Sequence, residues 1–166
     1  MIYLVTFHDH KKRLSNLDHE AQLKTYCWKS ILKLTEHKTV IYPVETFLVF
    51  NRKPLPNRVN IVYSYYNKKV KDINNVLVNN NFKDIISSFA GQNEDLYIIG
   101  STRDMIERFS KHVDYIIDYS TDEMGYTNAI IFDSINFADF TLLKKQELEH
   151  YDIRYFVREK TNFIGY

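Results

Sequence analysis

Apolar residues along this chain gather in short runs between polar stretches, and the runs have different periods. Ile2-Tyr3-Leu4-Val5-Thr6-Phe7 is a near-continuous apolar run of the kind a strand buried on both faces requires. Residues 8 to 18 are polar and charged and predict a long loop. From about His19 to Leu34 the pattern changes: Leu23, Cys27, Ile31 and Leu34 recur at helical spacing and predict one helix with a single apolar face. Thr39–Tyr42 predicts a second strand stopped by Pro43, and Glu45–Phe50 a turn or two of helix. Val59–Tyr63 and Val70–Val78 predict strands, and Asn79-Asn80-Asn81 a turn that starts a helix over Asp84–Phe89. Asp95–Ile99 predicts a buried strand with Gly100 directly after it. Thr102–Phe109 then predicts a helix burying Met105, Ile106 and Phe109. Val113–Tyr119, Ala129–Phe132, Phe140–Leu143 and Arg154–Val157 predict further strands.

Strands alternate with helices to about residue 119, and after that strand follows strand. This order predicts an α/β sheet, mainly parallel, with antiparallel strands added at the end.

Composition adds limits. A chain of 166 residues fits one domain, expected over 1–166, with enough buried surface for a core. The single cysteine, Cys27, rules out an intrachain disulfide and suits a reducing compartment. A net charge of +1 gives no footprint for nucleic acid or an anionic membrane. The amino-terminal apolar run has no charged lead-in and no cleavage site, so it reads as a strand and not a signal peptide. No stretch is long and apolar enough to span a membrane. The expectation is a cytoplasmic monomer.

Two stretches carry more specific chemistry. In Lys53-Pro54-Leu55-Pro56-Asn57-Arg58-Val59-Asn60-Ile61-Val62, two prolines stiffen a non-helical lead-in and set Arg58 at the mouth of a strand. In Asp95-Leu96-Tyr97-Ile98-Ile99-Gly100-Ser101-Thr102-Arg103, a glycine joins a strand to a helix start, where free N–H groups favour an anion. Together with Lys38-Thr39-Val40-Ile41, and with a weaker echo at Gly125-Tyr126-Thr127, these stretches resemble the dihydrofolate reductase family.

The resemblance implies an eight-stranded mixed sheet, mainly parallel, with helices on both faces and an antiparallel carboxyl-terminal hairpin. It implies hydride transfer from NADPH to 7,8-dihydrofolate, giving tetrahydrofolate. Arg58 would pair with the carboxylate of the folate tail, and Ile31 would line the substrate. Gly100, Ser101 and Thr102 would lie along the cofactor pyrophosphate, with Thr46, Ser64 and Arg103 around its 2′-phosphate.

The pattern departs from the family at the same sites. Cys27 stands where the family carries its pterin-binding acid, and a thiol cannot accept a bidentate pair. Glu20, the nearest upstream acid, is a weak substitute two helical turns away. Ser101 replaces a glycine, and Pro43, Val44 and Glu45 replace a phosphate-binding Gly-Arg lead-in. NADPH affinity is therefore expected to be weakened, with NADH a candidate, and turnover weak or altered. A pterin or flavin-precursor substrate related to dihydrofolate fits the same frame. The alternative is a catalytically inactive relative that binds a nucleotide, a pterin or a protein partner.

Other clusters carry less. His8-Asp9-His10 has metal-ligand side chains but no partner at ligand spacing, and reads as an exposed polar loop; no metal site is expected. Cys27 as a nucleophile lacks an adjacent base and reads as a buried, inert thiol, and Trp28 reads as packing. Lys68, Lys69 and Lys71 read as a solvated basic loop.

Overall fold

A computed structural model describes residues 1–10, 23–64, 76–79, 81–100, 102–122 and 137–159 of the chain. The elements are β1 (Ile2–Asp9), α1 (Tyr26–Leu34), β2 (Thr39–Pro43), α2 (Val44–Val49), β3 (Val59–Tyr63), β4 (Val76–Asn79), α3 (Phe82–Phe89), β5 (Leu96–Gly100), α4 (Arg103–Phe109), β6 (Tyr115–Thr121), β7 (Phe140–Glu147) and β8 (Tyr151–Arg158). A short 3-10 turn over Phe137–Asp139 leads into β7.

The strands form one eight-stranded sheet in the order β4-β3-β2-β5-β1-β6-β8-β7. Every pairing from β4 across to β6 is parallel, while β8 runs antiparallel to both β6 and β7. The mixed sheet with a carboxyl-terminal hairpin is therefore the one expected. The unbroken apolar runs have their physical reason here. α1 and α2 pack on one face through Cys27, Trp28, Ile31, Val44 and Phe47, and α3 and α4 on the other through Ile85, Met105, Ile106 and Phe109. A strand with a helix layer on each side has no face left for water.

α1 begins later than its apolar spacing predicts. Thr25 is extended (φ −71°, ψ 153°) and its hydroxyl accepts the Trp28 N–H at 3.1 Å, so it caps the helix. The apolar face is as expected, with Cys27 and Ile31 buried in the core and Leu23 and Leu34 packed against it. Asn81 and Thr102 cap α3 and α4 in the same way. At the other end of α4, Arg158 from β8 donates to the carbonyls of Ser110 (2.7 Å) and Val113 (2.9 Å).

Gly100 is demanded by packing. A Cβ there would lie 3.0 Å from Ile106 Cγ1, 3.1 Å from Leu4 Cδ1 and 3.1 Å from the Val5 carbonyl oxygen. Gly100→Ala is therefore expected to push α4 off β1 and cost roughly 1–3 kcal/mol in urea unfolding. Unchanged stability would show that α4 shifts freely.

The amino-terminal polar stretch corrects the sequence expectation. β1 runs through His8 and Asp9, which are buried (5% and 7% exposed), so they are not an exposed loop. His8 continues the face of Ile2, Leu4 and Thr6 and meets Asp118 of β6, which is fully buried. Asp118 also accepts from the Thr6 hydroxyl at 2.8 Å and from Arg154 of β8, through Nε at 3.1 Å and Nη2 at 2.6 Å. A charge this deep in an apolar strand is tolerated because all its donors come from the neighbouring strands.

Among the described residues no helix is long and apolar enough to cross a membrane, and no cluster of histidine, cysteine and carboxylate side chains is built to hold a metal ion. Glu20, Ser101, the lysines at 68, 69 and 71, the Gly125-Tyr126-Thr127 stretch and the strand expected over Ala129–Phe132 lie outside the described residues.

Candidate functional site

In a parallel sheet the carboxyl ends of neighbouring strands share one edge. Here that edge carries Thr46, three residues beyond β2, Ser64, directly after β3, and Gly100, Thr102 and Arg103 at the end of β5. Because β3, β2 and β5 are adjacent, the sheet brings these five residues to the same edge. Thr46 and Ser64 are buried, and Glu45 beside Thr46 is exposed. The Thr102 hydroxyl accepts the Met105 N–H at 3.2 Å. Arg103 is exposed and pairs with Glu107 one turn along at 2.7 Å.

Arg58 lies at the opposite edge, at the entrance to β3. α1 connects two parallel strands, so it runs back along the sheet, and its last turn comes down to Arg58. The guanidinium closes that helix: Nε donates to the Thr35 hydroxyl at 3.1 Å and Nη2 to the Leu32 carbonyl, while Nη1 donates to the Pro56 carbonyl. Thr35 is itself fully buried, and its hydroxyl donates to the Ile31 carbonyl at 2.9 Å.

The lead-in before Arg58 is held by a residue that sequence reasoning passed over. Asn60 is buried (1% exposed), and its Oδ1 accepts from the Tyr42 hydroxyl at 2.7 Å and the Leu55 N–H at 2.9 Å. Its Nδ2 donates to the carbonyls of Leu55 (2.9 Å) and Arg58 (3.2 Å). One amide thus fastens the Pro54–Arg58 loop onto β2 and β3. Asn57 inside the loop takes φ +58°, a conformation asparagine accepts more readily than most residues. An asparagine in an apolar strand beside a proline-rich loop was the available signal.

Between these two edges lies the face of α1. Cys27 and Ile31 are fully buried there against the sheet. The first turn of α1 carries no acidic residue. Trp28 is buried and packs beside Phe7 (ring centroids 6.4 Å apart) and Phe50 (5.6 Å), and Phe50 meets Tyr42 edge-on at 5.2 Å. Tyr119 of β6 is buried opposite Phe7, and its hydroxyl shares a 3.1 Å hydrogen bond with Ser30 of α1. Burial drives the Tyr119 phenol far above its ordinary value, against the pull of the Ser30 bond, so it stays neutral.

The mainly parallel eight-stranded sheet, with helices on both faces and an antiparallel carboxyl-terminal hairpin, defines an α/β class of fold. The family is then given by comparison: residues 27–160 match the dihydrofolate reductase family model, and the chain belongs to that family. It is 28% identical to the bifunctional dihydrofolate reductase–thymidylate synthase of Paramecium tetraurelia over 141 residues, which cover 81% of this chain. The match spans only 29% of the length of that relative. It is 24% identical to the dihydrofolate reductase of Ureaplasma parvum serovar 3 over 128 residues, covering 77% of this chain and 78% of the relative. Among solved structures it superposes on the dihydrofolate reductase from Enterococcus faecalis complexed with NADP(H) and RAB-propyl. The TM-score is 0.77 over 96% of each chain; at 17% identity this establishes the shared fold.

Proposed function

We propose that this chain is a slow or altered dihydrofolate reductase that takes a hydride from NADPH and delivers it to 7,8-dihydrofolate or a closely related pterin. The observation that carries the reading is the placement of Cys27 and Arg58 near opposite ends of α1. Eight residues separate Cys27 from the Thr35 anchor of Arg58, which is roughly 12 Å of helix. That span suits a ligand with a flat head at one end and a carboxylate at the other. Arg58 spends three of its five N–H donors on the protein, which leaves two for a carboxylate tail.

When bound, the cofactor would supply the hydride. The chain's own residues would bind and orient: Gly100, Ser101 and Thr102 along the pyrophosphate, and Thr46, Ser64 and Arg103 around the 2′-phosphate. Arg103 fits that phosphate by charge, whereas the exposed Glu45 opposes it by on the order of 1 kcal/mol. NADPH binding is therefore weakened, and NADH is a workable partner. The slow step is protonation of the substrate. Cys27 has no carboxylate to offer it, and Glu20 is a weak substitute.

Cys27→Asp tests this reading. Dihydrofolate-dependent oxidation of NADPH, followed by the loss of reduced-nicotinamide absorbance, is expected to rise at least about tenfold. Cys27→Ser should leave the rate unchanged. No gain from a folded aspartate variant would show that Cys27 is not at the acid position.

A second reading has its own observation. Phe7, Trp28, Phe50 and Tyr119 fill the ground between α1 and the sheet and are all buried. A relative that has lost turnover but still binds a nucleotide, pterin or protein partner would look like this. Trp28 is the only tryptophan, so its fluorescence separates the two readings. Quenching by NADPH without turnover in either variant would favour the inactive relative, and no response to NADPH or NADH would remove both cofactors.

A further inference from the structure

The buried ion cluster that joins the end of β1 to the middle of β6 and β8 plays no part in the proposed chemistry, and its hydrogen-bond geometry fixes a protonation state. His8 Nδ1 lies 2.9 Å from the Asp9 carbonyl oxygen, which can only accept, so Nδ1 carries a proton. His8 Nε2 lies 3.0 Å and 3.1 Å from the two carboxylate oxygens of Asp118. That carboxylate already receives Arg154 Nε, Arg154 Nη2 and the Thr6 hydroxyl, a donor set that keeps it ionised. Nε2 must therefore carry a proton as well, and His8 is an imidazolium.

We propose that His8 is a proton-operated clasp on the carboxyl end of β1. With both ring nitrogens protonated it ties the Asp9 carbonyl to Asp118. After losing one proton it cannot serve both acceptors, and the end of β1 comes loose from β6.

Among the described residues, the charged groups facing the ring are Asp118 from β6 and Arg154 from β8, while β5 brings Gly100 to Thr6. Along β1 itself Asp9 follows, and then His10, whose Nδ1 lies 3.2 Å from the Ser120 hydroxyl. Burial pulls the His8 imidazole down. The bond and charge of Asp118 and the Asp9 carbonyl push it up and prevail over the repulsion of Arg154. For Asp118, burial pushes up, and His8 and Arg154 hold it below the ordinary carboxylate value of 3.8. The signs follow by linkage. The His8 contribution is complete below the unfolded imidazole value of 6.5 and is lost as pH rises through its higher folded value. The Asp118 contribution is present above 3.8 and is lost as pH falls through its lower folded value.

Nitrogen NMR of the His8 ring and hydrogen exchange across β1 test the clasp on the intact chain. Both ring nitrogens are expected to be protonated at and just above pH 6.5. As pH rises further, one proton leaves, Tm falls, and the Asp9 and Thr121 amides lose protection relative to Val5. His8→Gln keeps a donor but cannot titrate, and it should flatten this part of the Tm profile. An unprotonated ring nitrogen below pH 6.5 overturns the proposal, as does a His8→Gln profile with the wild-type slope. If the glutamine variant does not fold, the NMR and exchange measurements on the wild type decide alone.

Discussion

Asp118→Ala is expected to lose about 3–5 kcal/mol in urea unfolding, the largest effect of any single substitution considered. The alanine removes the carboxylate that the His8 imidazolium, the Arg154 guanidinium and the Thr6 hydroxyl share, and His8 and Thr6 are buried away from water. At this chain length each kcal/mol moves Tm by roughly 2–4 °C, so a drop on the order of 6–20 °C should be seen. A loss below about 1 kcal/mol would mean that water replaces the carboxylate. Removing all three charges together, as His8→Leu, Asp118→Leu and Arg154→Met, should cost less than Asp118→Ala alone. Most of the single-variant penalty is uncompensated charge, not a lost attraction.

Asn60→Ala is expected to cost about 2–4 kcal/mol, because one side-chain amide satisfies four groups. The Leu55 groups are half-exposed and can turn to water, but the fully buried Tyr42 hydroxyl cannot. Adding Tyr42→Phe to Asn60→Ala should therefore recover part of the loss, whereas Tyr42→Phe alone should destabilise. This is a coupling a double-mutant cycle reads directly. Additive losses would show that the hydroxyl finds another acceptor. The single variant should also weaken any ligand that depends on Arg58, since the Arg58 carbonyl is one of the groups Asn60 holds.

The sequence showed the sheet clearly because parallel strands buried on both faces read as apolar runs: Ile2–Phe7, Val59–Tyr63 and Asp95–Ile99 each fall on an observed strand. The start of α1 was harder, since apolar spacing continues upstream through Leu23 while the backbone stops at the Thr25 cap. Spacing reports a face, and a cap reports an end. Arg58 was visible from its proline lead-in, but its use as a bracket on α1 was not, because backbone carbonyls leave no mark in a sequence. The ion cluster was the least legible feature. His8 and Asp118 lie 110 residues apart, and no spacing rule joins them. A lone aspartate between Ile117 and Tyr119 was the available sign that a partner had to exist.

The place of β1 in the sheet has a consequence for how the chain is made. Its first strand lies between β5 and β6, and Thr6 meets Asp118 across 112 residues of chain. A ribosome releases β1 long before either partner exists, so Ile2–Phe7 must wait as an unpaired apolar segment until β5 and β6 are synthesised. Contacts this distant make folding slow and leave such a segment open to association. Chains stopped before residue 96 should therefore aggregate or engage chaperones, and chains extended past residue 121 should recover together, because both neighbours of the central strand are then present.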